Sequence, residues 1–491
     1  MKIDIIKENP IAAVFNTLGF NFISKTIGYI RMILIASVFA LNMELDYYFY
    51  LQSLVFIFIV VISDINDITL LPKLLSIKNR VDLSRAARSQ YFMLTLIMVV
   101  SLNLTLYVVL EYILIINNYS KNEIDQMYLI FYSILPVNIL MPIFNLFGTF
   151  LRARKNFTIF LKAQLIATIF TVASFIIYHD NIYSIGLSGS IGYAIGLVYL
   201  FSHIRKDFSF FGNVFNSEVL VLLRQYPKLY IVFGSLGLLL ATDRFFLSYY
   251  ESGNISILQY CIMIVSLPYA LLKFEDIFLT RILHKHHIKV SFDIIINIVI
   301  LISFPLILFV QLNSILIVDT LFSYGDFSVN ETERTATILR ILSWQILPLI
   351  QWPLIYKILQ FRKRQNDLIK LLGFSIILNG SIDYLAVFIF NLSVEYIFLI
   401  TVIVQYTLII LGTGFVDISY RKLKLNKYFV MAYINNISAI VLINIFFDYL
   451  NFDTYTKLPL SLIFVFIMIY MNIIYSVCLN RIYHLVMRKA L

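Results

Sequence analysis

Long apolar runs, broken at intervals by short charged stretches, set the architecture of this chain. They fall at about 11–39, 45–72, 89–116, 124–150, 157–178, 183–203, 226–249, 254–282, 290–318, 335–359, 367–391, 394–416, 427–449 and 458–480. Each reaches the roughly 20 apolar residues that a transmembrane helix needs. The pattern predicts an all-α polytopic membrane protein of about 14 transmembrane helices.

The first run carries a second pattern. Thr17, Asn21, Ser24, Lys25, Gly28 and Arg31 recur at three- and four-residue steps. At about 100° per residue they form one polar stripe on an otherwise apolar helix. On insertion scales a Lys or Arg at the membrane centre costs roughly 2.5–3.5 kcal/mol, while an apolar residue returns only about 0.3–0.6. Such a stripe therefore faces a water-filled cavity or a protein interior, where ion and substrate paths run.

Composition agrees with the runs. Of 491 residues, 60% are hydrophobic and 13% charged, and the mean hydropathy is +0.86. No soluble domain is visible. Cys261 and Cys478 provide no disulfide framework and no metal-ligand spacing. Met1–Asn9 is hydrophilic, and Pro10 suits the first turn of the helix that follows. A cleavable signal ending at Val38-Phe39-Ala40 is rejected, because Lys25 and Arg31 interrupt its apolar core.

Loop charge gives the orientation. One set of loops holds Lys73, Lys78, Arg80, Arg85 and Arg88, then Arg152, Arg154 and Lys155, then Arg205 and Lys206. It continues with Arg281, Lys285 and Lys289, then Arg362, Lys363 and Arg364, then Arg421, Lys422, Lys424 and Lys427. The alternate set holds Lys121 and Lys457, with Arg334 at the mouth of the tenth span. The positive-inside rule places the first set and both termini in the cytoplasm, across a cytoplasmic (inner) membrane. The net charge of +10 is then topology, and nucleic-acid binding is not needed to explain it.

The chain also repeats. Displaced by 213 residues, Arg31 meets Arg244, Leu34 meets Leu247, Leu45 meets Leu258, Tyr47 meets Tyr260, and Ser53-Leu54 meets Ser266-Leu267. Spans 1 and 7 are both expected to leave the cytoplasm, as a parallel repeat requires. This predicts two six-helix lobes, 1–206 and 218–420, and two additional helices over 427–491. The repeat also makes Arg244 a cavity candidate. Snorkelling to the interface, or neutralisation by Asp243, is its other reading.

Ser24-Lys25-Thr26-Ile27-Gly28-Tyr29-Ile30-Arg31, then Asp46-Tyr47-Tyr48-Phe49 and Pro72, resembles the opening of the MviN/MurJ lipid II flippases. These belong to the multidrug/oligosaccharidyl-lipid/polysaccharide exporter superfamily. Thr242-Asp243-Arg244, Ser252-Gly253-Asn254-Ile255-Ser256 and Leu321-Phe322-Ser323-Tyr324-Gly325-Asp326-Phe327-Ser328 resemble them too. The resemblance implies a V-shaped, two-lobed transporter that flips an undecaprenyl-pyrophosphate-linked sugar by alternating access. It carries the family's cavity cations to Lys25 and Arg31 and its aspartate to Asp46. Two further cavity arginines find no counterpart, their positions falling near Phe58 or Ile59 and on Met263. This sequence therefore admits lipid II or a related lipid-linked oligosaccharide as cargo.

Lys and Arg suit such a cargo because they donate charge-assisted hydrogen bonds to phosphate. Gly28 either leaves a notch for the anion or permits close helix packing. The cations either face the cargo or pair with carboxylates of neighbouring spans. Asp64, Asp67, Lys273, Glu275 and Asp276, near the cytoplasmic ends of spans 2 and 8, are candidates for a gate or for a coupling ion, as is Asp243. They are also read as solvated helix ends. His284, Lys285, His286 and His287 read as a basic loop, since no Cys, Asp or Glu cluster accompanies them as metal ligands. No cofactor is implied. A polytopic glycosyltransferase or polymerase would need an acid/base constellation, usually on a large outer loop. A drug or cation antiporter of the same superfamily would be expected to show an acidic cavity.

Overall fold

In hydrocarbon every backbone amide must be satisfied within its own segment, so long apolar runs become helices. The structure, a computed structural model, describes residues 10–76, 81–117, 119–154, 156–205, 217–272, 288–362, 364–416 and scattered positions between 434 and 467. Among the described residues there is no strand.

Two compact units divide the chain, Met1–Ser256 and Ile257–Leu491. The first holds α1 (Pro10–Phe39), α2 (Met43–Val55), a π-helical turn π1 (Phe56–Val60), α3 (Val61–Ser76), α4 (Val81–Ile116), α5 (Lys121–Ala153), α6 (Phe157–Ile177), α7 (Tyr183–Ile204) and α8 (Ser217–Leu247). Helix α9 (Asn254–Leu272) begins there and continues into the second unit. The second unit adds α10 (Ile288–Phe322), α11 (Val329–Ser343), α12 (Ile346–Phe361), α13 (Gln365–Tyr384), a second π turn (Leu385–Ile389) and α14 (Glu395–Phe415).

Among the described residues eight helices are long and apolar enough to cross a membrane, or up to ten if each of two bent pairs is one span. The bends are 44° in α8, between Ser235 and Gly237, and 41° between α11 and α12. The expected spans 427–449 and 458–480 lie outside the described residues except at scattered positions, so these residues do not carry the count to fourteen.

Sequence explains several helix starts and contacts. Ser120 and Glu123 form a capping box that opens α5, and Ser328 and Glu331 form one that opens α11, so orphan amide donors are satisfied at both ends. Helix α7 packs against α5 and α6 along a glycine face. A Cβ at Gly186 would lie 2.6 Å from Ser133 Oγ and 2.7 Å from Ser133 O, so only glycine lets the two backbones approach this closely. Below this contact Leu70, Tyr91, Phe144, Phe147, Phe150 and Leu200 form an apolar core. Helix α8 packs against α2, π1 and α3. Tyr226 donates to Asn66 Oδ1 at 2.9 Å, Asn66 Nδ2 donates to Thr95 Oγ1 at 2.9 Å, and Tyr230 donates to Ile57 O at 2.8 Å.

Candidate functional site

The Asp46-Tyr47-Tyr48-Phe49 run at the start of α2 is buried, and three of the predicted site residues meet there. Asn42 opens this helix by accepting the amide of Glu44 at 3.1 Å. Arg31, one helix earlier, donates from Nη2 to the carbonyl of Ile185 on α7 at 2.8 Å. Its guanidinium also meets the hydroxyl of Tyr48 and lies within electrostatic reach of Tyr193. Arg31 thus donates to a neutral carbonyl and not to a carboxylate. Its Nε is buried and has no hydrogen-bond partner among the described residues.

Arg244, the repeat mate of Arg31, donates from Nη1 to the carbonyl of Phe49, the residue after Tyr48. It is 5% exposed beside the buried Asp243, so its side chain is enclosed by protein. Asp46 is 7% exposed and accepts from Gly253 N at 2.6 Å, Ser256 N at 2.8 Å and Ser256 Oγ at 2.6 Å. Its carboxylate thereby caps the start of α9, where orphan amides and the helix dipole both favour an anion. Gly253 makes this approach possible. Its φ is +90°, and a Cβ there would lie 2.8 Å from that of Leu41.

Lys25 is exposed on α1 about 9 Å from Arg31 at 1.5 Å per residue. Between them Gly28 is open: a Cβ added there meets nothing within 4 Å among the described residues. Close helix packing therefore does not explain this glycine. Of the two positions where cavity arginines find no counterpart, the first falls inside π1, where Ile59 is buried, and the second, Met263, is buried in α9.

The gate candidates separate. Asp67 is bound by Arg152 Nη2 on α5 at 2.6 and 2.7 Å and by the Thr149 hydroxyl. Asp64 is exposed one turn before it. Lys273, Glu275, Asp276 and the His284–His287 tract lie outside the described residues. Beyond α2, Tyr47 donates to Glu123 Oε1 at 2.8 Å, and Asn117 Nδ2 donates to Tyr50 Oη at 2.8 Å. Tyr119, in the turn before α5, packs edge-on against Tyr47 at 5.6 Å. Burial pushes its phenol up to about 12, so it stays neutral at physiological pH.

Sequence reading missed one buried carboxylate. Asp383 on α13 is 0% exposed and accepts from Asn379 Nδ2 at 3.1 Å. A lone acid within an apolar span is the signal that marks it.

Solved structures share this architecture. A structure titled "Lipid II flippase MurJ, inward closed conformation" matches with a TM-score of 0.76 at 16% identity, covering 96% of this chain and 100% of that one. An inward-facing multidrug resistance MATE family transporter of the MOP superfamily matches with a TM-score of 0.64 at 12% identity, covering 80% and 93%. A MOP superfamily transporter from Pyrococcus furiosus, whose title reports reverse polarity of its binding pocket, matches with a TM-score of 0.54 at 13% identity, covering 86% and 98%. No curated protein matches by sequence. The shared fold is therefore a multi-spanning, all-helical membrane fold. The profile of the family described as "Lipid II flippase MurJ" matches residues 35–450, and the chain belongs to that family.

Proposed function

We propose that this protein moves an undecaprenyl-pyrophosphate-linked sugar, lipid II or a related lipid-linked oligosaccharide, from the cytoplasmic to the outer leaflet by alternating access. The observation that carries this reading is Arg31, an intramembrane guanidinium with an unpartnered Nε, one turn from the open notch at Gly28. Of its five N–H donors, one goes to Ile185 O and another meets the Tyr48 hydroxyl, while Nε has no partner among the described residues. The remaining donors suit a diphosphate, whose oxygens accept charge-assisted hydrogen bonds. Lys25, exposed on the same stripe, adds a second positive charge toward the cytoplasmic end. Membrane lipid and the lipid-linked sugar are the partners in this account.

In the same reading, Asp46 and Arg244 bear on the cargo indirectly, by fixing the start of α9 and the end of α8 beside α2. The buried Asp243 and Asp383 are the candidates for a coupling ion, because intramembrane carboxylates are functional by default. The two-lobe division at 1–206 and 218–420, the added helices over 427–491 and the cytoplasmic termini belong to the same proposal.

The absence of arginine at Phe58, Ile59 and Met263 leaves fewer cations for a pyrophosphate, so a related lipid-linked oligosaccharide suits this site as well as lipid II does. Expression in cells depleted of their own lipid II flippase tests this directly. Failure to rescue, with the protein present in the membrane, assigns a cargo other than lipid II. Robust rescue assigns lipid II as the cargo and removes the divergent one.

A further inference from the structure

Helices α4 and α5 pack against each other and leave an aromatic and acidic patch on the surface of the first unit. Tyr107 on α4 meets Tyr128 and Tyr132 on α5, with ring centroids 5.5 and 6.3 Å away, and Tyr128 and Tyr132 are 6.4 Å apart. Tyr132 Oη lies 3.4 Å from Tyr107 Oη. The Tyr128 hydroxyl reaches the backbone of Glu111, within electrostatic range of that residue's carboxylate. Tyr107 and Glu111 stand one turn apart on one face of α4.

This trio is not buried. Tyr107 is 42% and Tyr132 49% exposed, and Glu111 is exposed with them. Leu104, Val108, Tyr112 and Leu129 around it are more than half exposed, so the patch faces lipid. Helix α4 has 36 residues. At 1.5 Å each it is about 54 Å long, against a bilayer of roughly 40–45 Å including headgroups. Glu111 stands about 7.5 Å from the Ile116 end of α4 and Tyr107 about 13.5 Å, which brackets the headgroup region.

A carboxylate on a lipid-facing surface requires a counter-charge. Among the described residues Glu111 forms no ion pair with a Lys or Arg. Three π faces and an acid at headgroup depth complement a cation. Tyrosines that merely anchor a helix at the interface need no acid among them. We propose that this patch binds the headgroup of a phospholipid carrying a primary ammonium group, in the leaflet on the side of the α4–α5 turn. The ammonium sits against Glu111 and over the rings of Tyr107 and Tyr132. A primary amine is favoured over a quaternary one because its N–H donors can satisfy both the carboxylate and the tyrosine hydroxyls.

The test uses the full chain, delipidated in detergent and exposed to phosphatidylethanolamine, phosphatidylcholine and phosphatidylglycerol of matched acyl chains, with retained lipid counted by native mass spectrometry. The unaltered protein should retain phosphatidylethanolamine about fivefold over each of the others, as an acid with aromatic faces predicts. Glu111→Gln should abolish that preference while phosphatidylglycerol retention stays unchanged. Tyr107→Leu combined with Tyr132→Leu should do the same. Photoactivatable phosphatidylethanolamine should label the 104–132 peptide of the unaltered protein, a readout that needs no variant to fold. Equal retention of all three lipids, an unchanged preference in Glu111→Gln, or label spread evenly over other lipid-facing helices would each overturn the proposal. So would a change in oligomeric state in place of lipid retention, which would make a second copy the occupant.

Discussion

Arg31 and Asp46 are both intramembrane charges, yet removing each has a different cost. Arg31 meets a neutral carbonyl and the neutral Tyr48 hydroxyl, so its loss leaves neutral acceptors short and no buried charge unpaired. That costs about 1–3 kcal/mol, less than the about 3–5 kcal/mol of breaking a buried ion pair. Asp46 accepts from two amides and a hydroxyl at the start of α9. Asp46→Ala should therefore lose about 1–3 kcal/mol of stability, while Asp46→Asn, which keeps one acceptor oxygen but turns an amide NH2 toward the other donor, should recover only part of that loss. Thermal unfolding in detergent separates them. Equal melting temperatures for the two variants would remove the capping role.

At the scale of elements, glycine marks the contrast between packing and opening. Gly186→Leu should prevent α7 from seating on α5 and deplete folded protein, because Ser133 backbone atoms already stand within 3 Å of a Cβ there. Gly28→Ala should accumulate normally, because nothing lies within 4 Å of a Cβ at that position. Fluorescence-detected size exclusion of both variants checks the pair, and equal monodisperse yields would contradict it. The apolar runs made most of these helices legible in the sequence, since length and hydropathy alone demand them. The π turn at Phe56–Val60 was not legible, because its five apolar residues read like any other helix interior. The bend in α8 falls at Gly234-Ser235-Leu236-Gly237, a glycine- and serine-rich run of the kind that marks kinks, so its signal was present in the sequence but unread. Arg31, Asp46 and Arg244 could be singled out as charges in the wrong solvent. Their convergence on Tyr48 and Phe49 needs the tertiary fold, since Ile185, Arg244 and Gly253 lie well over 100 residues along the chain from α2.

For the whole molecule, the loop charges carry a topology that fusion reporters check. Reporters after Lys121, Ser252 and Lys457 should report the outside, and those after Arg80, Lys285 and Lys424 the cytoplasm. One contrary fusion in a stable protein would break the arrangement at that loop. The central claim is that Arg31 handles a diphosphate within the membrane. Lys would supply the charge without the planar fork, so Arg31→Lys should keep part of the activity. The most direct measurement is flipping of an undecaprenyl-pyrophosphate-linked sugar in proteoliposomes, normalised to folded protein. Arg31→Gln should fold and insert but lose at least about 90% of its flipping, as the loss of a charge-assisted phosphate contact implies. Normal specific activity in Arg31→Gln would contradict the account.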